Sequence, residues 1–169
     1  MDVNRRSLLK AVGLLGLVTP MTSHARNVTW TELFSSSPKI DYDKILAQWA
    51  SRIVVDYEIA PVGMSAFGSI FFMKRDKTVQ CLNPIRGDLR QVAKDYDEFG
   101  KHMNTVSWQI ENLHSMVVAQ VVAMGLERPA EQVYALAPHP NFTSGMSLER
   151  SKVMVMDAVV WHSISAQSF

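Results

Sequence analysis

The chain has 169 residues with 17 basic and 16 acidic side chains, a formal charge of +1, and is 47% hydrophobic. That balance describes one ordinary globular domain and leaves no electrostatic footprint for nucleic acid. The single cysteine, Cys81, excludes an internal disulfide, a thiolate zinc site and an iron–sulfur cluster, so stability has to come from a buried core.

The first 25 residues read as an address and not as fold. Asn4-Arg5-Arg6-Ser7-Leu8-Leu9-Lys10 leads into the apolar run Ala11 to Val18, which is too short and too interrupted by glycine to span a membrane as a stable helix. Ser23-His24-Ala25 then offers small residues where a signal peptidase reads. The segment resembles a bacterial twin-arginine signal: Arg5, Arg6, Leu9 and Lys10 match that pattern, while Asn4 and Leu8 depart from its commonest residues. The resemblance implies recognition by the twin-arginine export machinery, cleavage after residue 25, a periplasmic or secreted product and no stable membrane span after cleavage. Arg5, Arg6, Lys10 and Asp2 leave with the signal, so the remaining domain, residues 26–169, is close to neutral.

In chain order, residues 26–37 form a lead-in that docks through Trp30, Leu33 and Phe34. Tyr42, Ile45, Leu46 and Trp49 fall at helical spacing, so a short helix is expected over 41–50. Arg52 to Ile59 alternates apolar and polar residues as a half-wetted strand does, and Pro61 with Gly63 reads as a turn. Ser65 to Met73 and Thr78 to Leu82 then make a hairpin about the charged turn Lys74-Arg75-Asp76-Lys77, closed by Asn83-Pro84.

The organising stretch runs from Leu89 to Val117. Leu89, Val92, Tyr96, Phe99, Met103, Val106, Ile110, Leu113 and Val117 alternate steps of three and four, the stripe of one long amphipathic helix. With Asp88 as N-cap, Gln91 completing a capping box, and Gly125 and Pro129 as the stop, the helix would run to Met124, roughly 37 residues and about 55 Å, unless Gly100 interrupts it. Pro129 to Ala137 reads as a further short helix, and Val153 to Ile164, rich in β-branched residues, as a central strand. The expected fold is α+β: a small antiparallel sheet, a three-strand meander plus a C-terminal strand, packed against one long central helix.

Chemistry is sparse. The chain has no Gly-x-Gly-x-x-Gly, P-loop or His-Glu-x-x-His motif, and no cofactor is expected. His102 and His114, twelve residues apart on one helix, would point about 120° away from each other, so a histidine metal site is not expected. The candidates for catalysis are His139 in a proline-flanked loop, His162, and Asp157, whose carboxylate in an apolar strand needs a partner such as Arg52. Trp108 falls among Lys94, Lys101 and Ser115 on the face opposite the stripe, which predicts an exposed aromatic ring and a partner contact. The leading expectation is an exported accessory or partner-binding protein without a catalytic cofactor of its own, working with a protein partner or as a homo-oligomer. The alternative is a small periplasmic enzyme using His139, His162 and Asp157.

Overall fold

The computed structural model describes residues 28–53, 59–143 and 145–169; the signal-like segment lies outside them. The fold is α+β. Helix α1 (Trp30–Leu33) and strand β1 (Phe34–Ser35) precede α2 (Tyr42–Ala47), and β2 (Ile59–Ser65), β3 (Ile70–Lys74), β4 (Val79–Asn83) and β5 (Asp88–Ala93) follow. Together β1 to β5 form one five-stranded antiparallel sheet in chain order. Helices α3 (Tyr96–Met103), α4 (Val106–Leu113) and α5 (Ser115–Ala123) come next, then a two-stranded ribbon of β6 (Gln132–Ala137) and β7 (Lys152–Asp157), and finally α6 (Ala158–Gln167). Among the described residues no helix is long and apolar enough to cross a membrane.

The charged turn forms as expected. Asp76 Oδ1 accepts from both the backbone N–H and the hydroxyl of Thr78, at 3.0 and 2.6 Å, and this closes the β3–β4 hairpin. The helix expected over 41–50 appears as α2, with Asp41 as N-cap accepting from the Lys44 N–H at 3.0 Å. Ile45 and Trp49 from this segment are fully buried.

The single long helix does not form; its span is divided between one strand and three short helices. Asp88 to Ala93 pairs with β4 in the register Cys81↔Arg90 and Leu82↔Leu89, so Asp88 starts a strand and caps nothing. The true N-cap is Asp95, which accepts from the Glu98 N–H at 2.7 Å while the Glu98 carboxylate accepts from the Lys94 N–H at 2.7 Å. Gly100 leaves α3 unbroken; the breaks come at Asn104, whose side-chain amide turns back to the Gly100 carbonyl, and at His114, which sits in the left-handed region at φ 54°. A non-glycine residue there is strained, and it sets α5 at a new angle to α4.

Three further expectations are corrected. Pro61 and Gly63 lie within β2, where the register shifts between them. Gly63 is required because a Cβ there would fall 2.2 Å from the Phe34 ring, which lies across the strand. The segment expected as a helix over 129–137 gives a turn and then β6 from Gln132, because Val133 to Leu136 are buried on both faces, and the Tyr134 N–H donates to the Ala66 carbonyl at 2.8 Å. The segment 153–164 is half strand and half helix, with Asp157 at the junction. Of the strand expected over 52–59, residues 54–58 lie outside those described, Arg52 is in a turn and Ile59 opens β2.

The core lies on both faces of the sheet. Phe71 packs on Phe99 and Trp108 under α3 and α4, with ring centroids 5.4 and 5.9 Å away, while Ile70 and Phe72 are buried on the opposite face. The β2–β3 loop, residues 66–69, is the hub. Ala66 donates to Leu33 and accepts from Tyr134, and the Phe67 ring meets Tyr134 and His114.

Candidate functional site

The two histidines singled out by sequence are both buried, His162 next to Trp161 in the chain and His139 packed against the Trp161 ring. The His162 ring is fully buried on α6, where its Nδ1 accepts from Trp49 Nε1 at 2.9 Å and its Nε2 reaches the Gly68 carbonyl at 2.8 Å. These partners fix the tautomer with the proton on Nε2. Burial holds its pKa down to about 4, against a smaller upward pull from the Gly68 carbonyl. Trp161 donates from Nε1 to the Phe67 carbonyl at 3.1 Å and packs on His139 with ring centroids 5.0 Å apart. His139 is buried too; its Nδ1 accepts from the Asn141 N–H and its Nε2 reaches the Pro84 carbonyl, both at 3.2 Å. Burial lowers its pKa, and the hydrogen bond to Pro84 partly offsets that.

Asp157 does not join them. It is exposed at the start of α6, where its Oδ1 accepts from the Val160 N–H at 3.1 Å, and it makes no hydrogen bond or ion pair with either imidazole or with Arg52. The strand expected to run to Ile164 ends at Asp157, where α6 takes over, so the carboxylate needs no buried partner. All four ring nitrogens of His139 and His162 are engaged within the chain, and the arrangement ties α2, α6 and the β2–β3 loop together.

A polar group around β5 and the β4–β5 turn has no counterpart in the sequence reading. Arg90 on β5 donates to the Asn112 amide oxygen and lies 3.6 Å from Glu111, while Arg86 lies 3.4 Å from Asp88. Asp88 Oδ1, Arg90 Nε and His114 Nε2 are buried without a hydrogen-bond partner among the described residues. Burial first, then the positive charge of Arg86 and Arg90, holds the His114 pKa down to about 4. The group is invisible in sequence because it needs β5 to be a strand beside β4. Among the described residues no three His, Cys, Asp or Glu side chains are clustered as metal ligands would be.

A cleft of about 400 Å³ opens between α1, the end of α5 and β6, lined by Glu32, Leu126, Arg128 and Tyr134. The Arg128 guanidinium stacks 5.7 Å from the Tyr134 ring centroid and donates to the carbonyls of Gln132 and Glu32 at 3.0 and 3.3 Å. Its two terminal nitrogens hold the chain together, while its Nε is buried beside the cleft without a hydrogen-bond partner among the described residues.

Trp108 is not the exposed ring that the heptad predicts. It is half-buried on α4 between Phe71 and Phe99, with His102 also against it. The exposed residues are members of the stripe itself: Tyr96 is 58%, Val106 71% and Ile110 41% exposed. Phe99 and Leu113 keep the burial that the stripe predicts, while Tyr96, Val106 and Ile110 depart from it, because the breaks at Asn104 and His114 reset the phase of each short helix.

No protein-family model matches this sequence, and no curated protein matches it.

Proposed function

We propose that this chain is an exported accessory protein that acts by holding a protein partner on the outer face of α3 and α4. The observation carrying this reading is the exposure of Tyr96, Val106 and Ile110 on two adjacent helices, backed by the half-buried Trp108 and its packing on Phe99. Large apolar side chains left open on neighbouring helices are candidates for a contact site. The export half of the reading rests on Arg5, Arg6, Leu9 and Lys10. A small enzyme built on His139, His162 and Asp157 has less support, because both rings are saturated and the carboxylate caps a helix at the surface.

A photo-crosslinking residue at position 106, expressed with the intact signal in a bacterial host of the native kind, tests both halves. The expected result is a discrete covalent adduct in the periplasmic fraction, with none from the same probe at exposed Lys39. Replacing Arg5 and Arg6 by Lys should leave the chain in the cytoplasm. Equal labelling from positions 106 and 39 would overturn the binding face, and normal export of the double-Lys variant would overturn the twin-arginine route.

A further inference from the structure

We infer that the occupant of this face is a second copy of the chain, docked so that α3 crosses its symmetry mate antiparallel near Gly100; the inference rests on the binding-face reading above. The outward residues of α3 are Tyr96, Asp97, Gly100, Lys101 and Asn104, with Gly100 only half exposed, and their spacing of three and four puts them on one side of the helix. Two independent features of that side point to its own copy.

The first is Gly100. Glycine in a helix interior weakens the helix, and its missing side chain leaves room for another backbone to approach closely. A Cβ built at Gly100 would meet nothing within 4 Å, so nothing inside the chain needs the missing side chain. The second is charge. The first turn of α3 carries Asp97 and Glu98 and its last turn carries Lys101 and His102. Asp97 and Lys101 are both exposed, lie on the same flank of the helix and make no ion pair among the described residues. A two-fold axis near residue 99 brings Asp97 opposite the mate's Lys101 and Lys101 opposite the mate's Asp97, with the two helix dipoles opposed. The small side chain at Gly100 lets the helices approach, and Tyr96 and the exposed residues of the adjoining α4 flank the crossing. A parallel crossing would set like charges against each other, so the charge pattern selects the antiparallel one.

The test is a charge exchange read by sedimentation of the purified full chain. The wild-type chain should sediment at twice its 19.0 kDa. Asp97→Lys and Lys101→Asp should each be monomeric, because each sets like charges together at both contacts. An equimolar mixture of the two variants should recover the dimer, since both contacts then pair opposite charges, and the double exchange within one chain should also be dimeric. Gly100→Leu should give a monomer whose thermal midpoint is unchanged or raised, which separates loss of the crossing from loss of the fold. A wild-type monomer at concentrations far above micromolar, or a dimer indifferent to either single reversal, overturns the inference. In that case an adduct from position 106 to a different protein would keep the binding-face reading, whereas absence of any adduct would end both.

Discussion

Trp49 Nε1 donates to His162 Nδ1 across 113 residues of chain, at 2.9 Å and in a fully buried setting, and so joins the segment after α2 to the C-terminal helix. Because His162 spends its other nitrogen on the Gly68 carbonyl, neither atom of this pair can be removed without leaving the other unpaired in the core. Trp49→Phe should therefore lower unfolding free energy by about 2 kcal/mol or more, the cost of an orphaned buried acceptor plus lost packing. Trp30→Phe, at an exposed ring that stacks on Phe34, should stay within about 0.5 kcal/mol. Urea denaturation of the two variants compares them directly, and equal losses would mean that the buried hydrogen bond contributes nothing.

Acid should destabilise the protein before its carboxylates titrate. His162 and His114 are both held to about 4, chiefly by burial, whereas an unfolded histidine titrates near about 6.5. Between these values the unfolded chain binds the extra protons, so stability is fully present above about pH 6.5 and falls as pH drops towards about 4, by up to about 3 kcal/mol for each ring. The urea midpoint measured across that range should decline, and His114→Gln should remove part of the slope. A flat midpoint would show that the rings are not held neutral.

Two members of the same apolar stripe should behave differently. Leu113 is fully buried at the end of α4, whereas Ile110, one turn earlier, is largely open. Leu113→Ala should cost about 3 kcal/mol, as a core cavity does, and Ile110→Ala less than about 1 kcal/mol when unfolding is followed at high dilution. Similar values would restore a single continuous stripe.

The tryptophan on α4 is half-buried against two aromatic rings, so its truncation should be felt in stability. With Phe71 and Phe99 against its ring, Trp108→Ala should lower unfolding free energy by about 3 kcal/mol. Val106→Ser should leave the thermal midpoint almost unchanged while weakening any adduct formed at the neighbouring surface. A silent Trp108→Ala would return Trp108 to the role of an exposed anchor.

Burial pushes the Cys81 thiol up to about 12, so at neutral pH almost no thiolate forms. An alkylating reagent should leave the native chain unlabelled and modify it fully in denaturant. Rapid native labelling would place Cys81 at an accessible surface.

Much of the fold was open to reading where short-range chemistry decides. The Lys74–Lys77 turn, the Asp41 helix start and the burial of Leu113 follow from neighbours within a few residues. The start of α3 was equally readable: Asp95 and Glu98 form a reciprocal cap, but the longer apolar spacing drew the boundary to Asp88.

The sequence by itself determined an α+β chain with a capped short helix after Asp41 and a charged hairpin, because turn residues and caps act locally. The tertiary structure alone decided that Leu89 and Val92 belong to a strand. Their spacing of three suits a helix, but Asn83 folds the chain back through its side-chain contacts with the Ile85 and Arg86 N–H groups, and β4 supplies a full ladder of partners. It also decided that Asp157 caps α6 at the surface, that His139 packs on Trp161 while His162 bonds Trp49, and that Tyr96, Val106 and Ile110 are exposed. Each of these depends on contacts between residues tens of positions apart, whose energy is set by the completed packing and leaves no trace in the periodicity of either segment.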